Sequence, residues 1–191
     1  MAPTNATSPV IRRRPRAGDL GAIIAHHGRV YAAEYGLDST FEAEVAASVS
    51  DAGRRGWPRR NEASWIVELG GEHAGSLALT DEGDGLAAVR WFLIDPCLRG
   101  RGLGRSLVTE LIERARGAGY ERLRLVTFSE LRSAARIYRS VGFELRSAET
   151  GPRWGRERLT YQHYELSFQA RAQSSSSPST GCSERPFSVS A

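Results

Sequence analysis

The stretch Asp95-Pro96-Cys97-Leu98-Arg99-Gly100-Arg101-Gly102-Leu103-Gly104-Arg105-Ser106-Leu107 decides the fold. It follows Leu86 to Ile94, a nearly continuous apolar run interrupted by Arg90. Such a run predicts a strand buried on both faces. It is followed by Leu103, Leu107, Val108, Leu111, Ile112 and Ala115, an apolar stripe at helical spacing that predicts a helix to about Arg116. The stretch is therefore a glycine turn that carries a buried strand into a helix. A helix N-terminus has backbone N–H groups without partners and a positive dipole end, and glycines let a ligand come close. A phosphate or pyrophosphate suits such a place. It is not a P-loop, because no Lys-Ser/Thr follows Gly104, and Gly100-x-Gly102-x-Gly104 has the wrong spacing for a dinucleotide fingerprint.

Outward from this unit the chain reads as one mixed α/β domain. Val10 to Arg14 is a short strand, and Asp19 is placed to cap a helix that Gly36 ends. Ser39 or Thr40 opens a second helix with Phe41, Val45 and Val49 on one face. Ser64 to Leu69 and Ala74 to Thr80 form a hairpin across Gly70-Gly71. After the central unit come a strand from Arg122 to Thr127 and a helix from Leu131 to Ser140. Strands from Phe143 to Arg146 and from Leu159 to Phe168 complete the order β-α-α-β-β-β-α-β-α-β-β. Residues 86–127 form a parallel crossover inside an otherwise antiparallel sheet. Residues 1–9 and the serine-rich 169–191 lack apolar periodicity and are expected to be disordered, leaving 10–168 as the domain.

The 26 basic residues are all arginine, and the net charge of +4 is modest. The arginines are scattered, several beside Glu on helical faces, and no nucleic-acid reading motif accompanies them. No run reaches the ~18 apolar residues of a membrane span. No signal pattern opens the chain, and Cys97 and Cys182 make no disulfide framework, so a cytoplasmic protein without membrane or nucleic-acid partners is expected. His26-His27 face apart on a helix, and no metal site is expected.

Arg99-x-x-Gly102-x-Gly104 after a buried strand, together with Ala134-Ala135-Arg136-Ile137-Tyr138 leading to Gly142-Phe143, resembles the GNAT N-acetyltransferases. His27 to Gly36, Asp95-Pro96 and Ala134 to Tyr138 most resemble the acetyltransferase domains found fused to MarR-type helix-turn-helix regulators. The residues before Val10 are too few for that regulator. The resemblance covers roughly 10–168 and implies the GNAT fold, a mostly antiparallel sheet flanked by helices whose fourth and fifth strands splay. It implies acetyl-CoA as co-substrate, no metal, and direct transfer to a primary amine of a small molecule or peptide, with a homodimer left open. The backbone of Phe92, Leu93 and Ile94 would line the pantetheine, and Arg99, Gly100, Arg101, Gly102, Leu103, Gly104 and Arg105 would hold the pyrophosphate.

Tyr138 resembles the family's acid for the departing thiolate. The fourth strand, where many members place a Glu base, carries Arg90, which cannot be a base and would bind a substrate carboxylate or pair with an internal acid. His27, Glu34 and Glu42 are candidates for the base, with Glu34 first, and a water chain is the alternative. By the same resemblance, His27 and Tyr31 would lie where the family's acceptor site is walled. A rival reading is a non-catalytic acyl-CoA sensor or interaction module, which the missing fourth-strand Glu favours and Tyr138 opposes.

Overall fold

The computed structural model describes residues 8–168. The expectations of disorder for residues 1–7 and 169–191 lie outside them. A seven-stranded sheet has the order β1-β2-β3-β4-β5-β7-β6. The strands are β1 (Val10–Arg12), β2 (Ala63–Leu69), β3 (Glu72–Gly83), β4 (Leu86–Ile94), β5 (Arg122–Phe128), β6 (Glu144–Arg153) and β7 (Arg156–Ser167). All neighbours are antiparallel except β4 and β5. The helices are α1 (Asp19–Tyr35), α2 (Ser39–Arg54), α3 (Leu103–Gly117) and α4 (Arg132–Ser140).

Alternation along the strands divides the core between the two faces. Trp65, Val67, Leu77, Leu79, Ala87, Val89 and Leu123 pack with Leu107, Val108 and Leu111 of α3. Ile66 and Ala78 point the other way, to Ile23 of α1 and Phe41, Val45 and Val49 of α2. Burying side chains of this size contributes roughly 1.5–3 kcal/mol each, so helices on both faces are needed to cover this sheet.

Local details differ from expectation where side-chain chemistry competes. Asp19 does not cap α1; the N-cap is Gly18. The Asp19 carboxylate instead accepts two bonds from the Arg12 guanidinium, at 3.0 and 2.8 Å, and one from the Arg16 amide. These bonds hold its carboxyl below its usual range against the desolvation that raises it. Neither Ser39 nor Thr40 caps α2; Asp38 does, accepting from the Thr40 amide at 3.0 Å. β6 is far longer than expected. Its side chains are nearly all exposed, so no apolar alternation marks it. The β6–β7 hairpin turns on Trp154 and Gly155, both at positive φ (50° and 77°), the backbone of a type I′ turn.

His27 is buried and His73 is half-buried with both ring nitrogens enclosed, and desolvation lowers their pKa from 6.5 to about 4. The unfolded chain therefore binds these protons first as the pH falls. Their contribution to stability is complete above about pH 6.5 and drains away toward pH 4, by on the order of 3 kcal/mol for His27 alone. Urea unfolding midpoints measured across this window should fall steadily with acid, and a flat profile would contradict the burial of these rings as neutral groups.

Candidate active site

Between β3 and β4 the register passes from Ser76↔Leu93 to Ala78↔Arg90, two steps on β3 against three on β4. The extra residue is a bulge, and Trp91 sits in it at φ 47°. The bulge inverts the alternation of β4. Ala87 and Val89 face α3, whereas Trp91 and Leu93, which regular pleating would put beside them, join the α1/α2 core. A left-handed Trp is strained, by roughly 1–3 kcal/mol, and its surroundings hold it there. Ser76 Oγ donates to the Trp91 carbonyl at 2.7 Å, and Trp91 Nε1 donates to Ser48 Oγ at 3.2 Å. The Trp57 ring meets Trp91 edge-on at 5.0 Å.

The same strand pairs with β5 only over Leu86–Ala88 and Arg122–Arg124. Beyond Ala88 the two parallel strands part, and their separation opens a cleft of ≈ 840 Å³. Phe92, Leu93 and Ile94 line it, as do Val126, Thr127 and Phe128 from the opposite strand. Beyond Ala88 the β4 edge that faces this gap has no strand beside it, which leaves backbone groups there for a ligand, the Ile94 carbonyl excepted because Arg99 holds it.

The glycine turn borders one end of the cleft. Asp95 Oδ1 caps a 3-10 turn at Pro96–Leu98 through the Cys97 amide at 2.9 Å. Gly100 and Gly102 then adopt φ 77° and 79°, and Gly102 becomes the N-cap of α3 without any side-chain bond. The first turn of α3 contains no acid, so its amides and dipole are uncompensated. Gly104 presses on β4, since a Cβ there would lie 3.2 Å from Phe92 Cζ and 3.3 Å from Ile137 Cδ1. The cleft lining includes Arg99, Gly100, Gly102, Leu103, Gly104 and Arg105, but not Arg101. Arg99 is also a strut: its Nε donates to the Ile94 carbonyl at 2.9 Å and its Nη1 to both Glu34 oxygens at 2.8 Å.

Tyr138, Tyr31 and His27 all line the cleft. Burial drives the phenol pKa of Tyr138 and of Tyr31 well above the usual value, so both keep their protons. The Tyr138 hydroxyl has no protein hydrogen bond among the described residues. His27 Nδ1 lies 2.8 Å from the Ile23 carbonyl, which requires the proton on Nδ1 and leaves Nε2 as an acceptor. Glu34 is placed elsewhere, ion-paired to Arg99 and outside the cleft lining. Glu42 is also outside it; its carboxylate lies against Gly28. Arg90 does line the cleft, and it pairs with an internal acid. Glu82 Oε1 accepts from it at 2.6 Å while the other oxygen of Glu82 holds Arg124.

Several lining residues were not singled out from the sequence. Arg132 and Arg136 come from α4, Glu44 from α2 and Tyr161 from β7, whereas Trp154, read from the sequence as core or pocket wall, does line the cleft. Arg132 and Arg136 flank the Ala134-Ala135 motif and are visible as positive charge beside it. Nothing in the sequence marks Glu44, whose carboxylate accepts from Arg153 at 2.9 Å and from the Trp154 indole, 110 positions away, at 3.0 Å.

The model of the acetyltransferase (GNAT) family matches residues 29–143. The uncharacterized N-acetyltransferase YjgM of Escherichia coli K12 is 31% identical over 140 residues, 72% of this chain and 83% of that protein. Among solved structures, yncA from Salmonella typhimurium with its cofactor acetyl-CoA superposes at a TM-score of 0.66 and 22% identity, covering 88% of this chain and 97% of that one. An N-acetyltransferase from Staphylococcus aureus Mu50 gives 0.65 at 19% identity, covering 84% and 99%. These two structures share the fold. No helix among the described residues is long and apolar enough to cross a membrane.

Ser76→Ala should expose the dependence of the cleft on the bulge. The Trp91 carbonyl would lose its buried donor, and stability should fall by about 1–3 kcal/mol in urea unfolding. A variant as stable as the parent would mean that Ser76 does not hold the bulge.

Proposed function

Since the chain belongs to the acetyltransferase (GNAT) family, we propose that it moves an acetyl group from acetyl-CoA to a primary amine of a small molecule or peptide by direct transfer. The observation that carries this reading is the gap between β4 and β5, which opens beside the bare N-terminus of α3. The residues present fit the co-substrate. Uncapped amides and Arg99, Arg105, Arg132 and Arg136 around one cleft suit a multiply charged phosphate ligand. When bound, acetyl-CoA supplies the thioester acetyl group and the thiol that leaves.

Each part of the cleft then has a task. A backbone amide on the unpaired edge of β4, at Phe92 or Ile94, donates to the acetyl oxygen as negative charge gathers there. The neutral Tyr138 phenol donates to the departing sulfur. His27 Nε2 accepts an N–H of the amine and aims its lone pair. With its pKa lowered to about 4, His27 is neutral at working pH and a poor base for an ammonium. The amine proton leaves through water. Glu34 serves as the partner of Arg99, joining α1 to the cofactor loop. A non-catalytic acyl-CoA binder on the same fold would keep the cleft and lose only the chemistry, so turnover separates the two readings.

Calorimetric titration should show acetyl-CoA binding that weakens by about tenfold in Arg105→Glu and Arg136→Glu. Arg101→Glu, outside the cleft lining, should change it less. No binding by the folded parent would remove the acetyltransferase reading. Tyr138→Phe should keep acetyl-CoA affinity and lower kcat by about 10²-fold. The parent's kcat/KM should climb with pH toward the ammonium pKa of ~10.4; a plateau near neutrality would instead place a tuned base in the cleft.

A further inference from the structure

Of the cleft-lining arginines that suit a phosphate ligand, Arg99, Arg105, Arg132 and Arg136, only Arg99 is ion-paired among the described residues. Its Nη1 donates to both Glu34 oxygens at 2.8 Å, while its Nε donates to the Ile94 carbonyl at 2.9 Å. The Arg136 guanidinium meets only a neutral hydroxyl, that of Ser133, at 3.1 Å. A carboxylate on the cation of the glycine turn is out of keeping with an anion site, and the first turn of α3 carries no acid. Glu34 also sits at the wrong end of its own helix. It lies in the last turn of α1, which carries no basic residue, and there the helix dipole repels it. Arg99 is what offsets that repulsion. The two side chains are 39% and 26% exposed, so water and salt reach the pair.

We propose that Glu34 is a positioning residue that holds Arg99 until the phosphates of acetyl-CoA take it, and that it thereby limits how tightly the co-substrate is bound. This rests on the acetyl-transfer reading. A phosphate oxygen approaching this guanidinium has two courses. At Nη1 it must displace Glu34. At Nη2 it shares one cation with a carboxylate whose charge opposes its own. Either course costs affinity that a neutral side chain at position 34 would not take. The exchange is easy, because half-exposed ion pairs are weak and phosphate makes stronger, charge-assisted bonds. The Ile94 carbonyl keeps Nε throughout, so Arg99 stays at the turn while its partner changes. CoA carries the same phosphates as acetyl-CoA, so a built-in competitor for Arg99 loosens the product as much as the substrate. Release of product sets the turnover of many enzymes, and Glu34 favours it here.

Calorimetric titration of the full chain with acetyl-CoA and with CoA tests this, in the parent, Glu34→Gln, Arg99→Gln and the double variant. Glu34→Gln keeps an oxygen for Nη1 and removes the charge. It should bind both ligands about fivefold more tightly than the parent at low salt, and the gain should shrink in about 0.5 M salt. With Arg99→Gln already present, the same change should alter affinity by less than about twofold. Affinity left unchanged or weakened by Glu34→Gln overturns the proposal and makes Glu34 a plain support of the turn. A gain that persists without Arg99 overturns it too, as a general effect of charge. If the Arg99 variants fail to fold, the sign of the Glu34→Gln effect decides alone. A folded parent that binds neither ligand sinks the acetyltransferase reading, and this proposal with it.

Discussion

The hydroxyl of Ser76 on the Trp91 carbonyl fastens the irregularity from which the rest of the cleft follows. A large aromatic at positive φ is unfavourable anywhere in a strand. Here the cost is offset by a buried hydrogen bond, an indole bond to Ser48 and a ring contact with Trp57. In return β4 faces α3 along its first half and α2 along its second, while Phe92 comes to lie beneath Gly104. β4 leaves β5 after Ala88, just before the bulge, so the parting and the bulge are neighbours along the strand. The surplus residue sits in the wall of the opening, and the three polar or aromatic side chains that steady it come from α2, the α2–β2 connection and β3.

Arg99 ties the two ends of the site together. Its guanidinium reaches the Ile94 carbonyl at the end of β4 and Glu34 on α1. A second contact runs parallel, with His26 Nε2 3.3 Å from Asp95 Oδ2, close enough for attraction yet off the line of a hydrogen bond. The helix that presents His27 and Tyr31 is therefore mechanically continuous with the loop at the α3 N-terminus. A phosphate drawn to Arg99 competes with Glu34 for the same donors, so an anion at the loop and the position of α1 belong to one electrostatic balance.

Much of this was legible from residue order. The apolar run of β4 and the stripe of α3 have unambiguous periods, and the glycine signature between them named the fold; the bounds of β4 agree to the residue. The bulge was not legible, because a run apolar on both faces gives no alternation whose inversion could be noticed. β6 escaped for the converse reason, having almost no buried side chain to set a period. The site divides similarly. The glycine turn is local, and its residues other than Arg101 border one cleft. The engagement of Glu34 with Arg99 and of Arg90 with Glu82 are through-space pairings, the first between partners 65 positions apart, and no local pattern predicts them.

The hairpin turn at Trp154-Gly155 has a consequence for how the molecule comes into being. Its tip rests on the α1–α2 junction, with the Asp38 amide bonded to the Trp154 carbonyl at 3.1 Å and Arg156 Nη1 bonded to the Tyr35 carbonyl at 2.7 Å. These contacts join segments more than a hundred positions apart, 121 in the latter case. On the ribosome, the first helices and the α3 unit emerge long before the hairpin is synthesised. Loop closure of that span is slow beside local pairing. The nascent chain can thus build its glycine-turn half early, whereas the aromatic wall stays open until almost the last strand has been made.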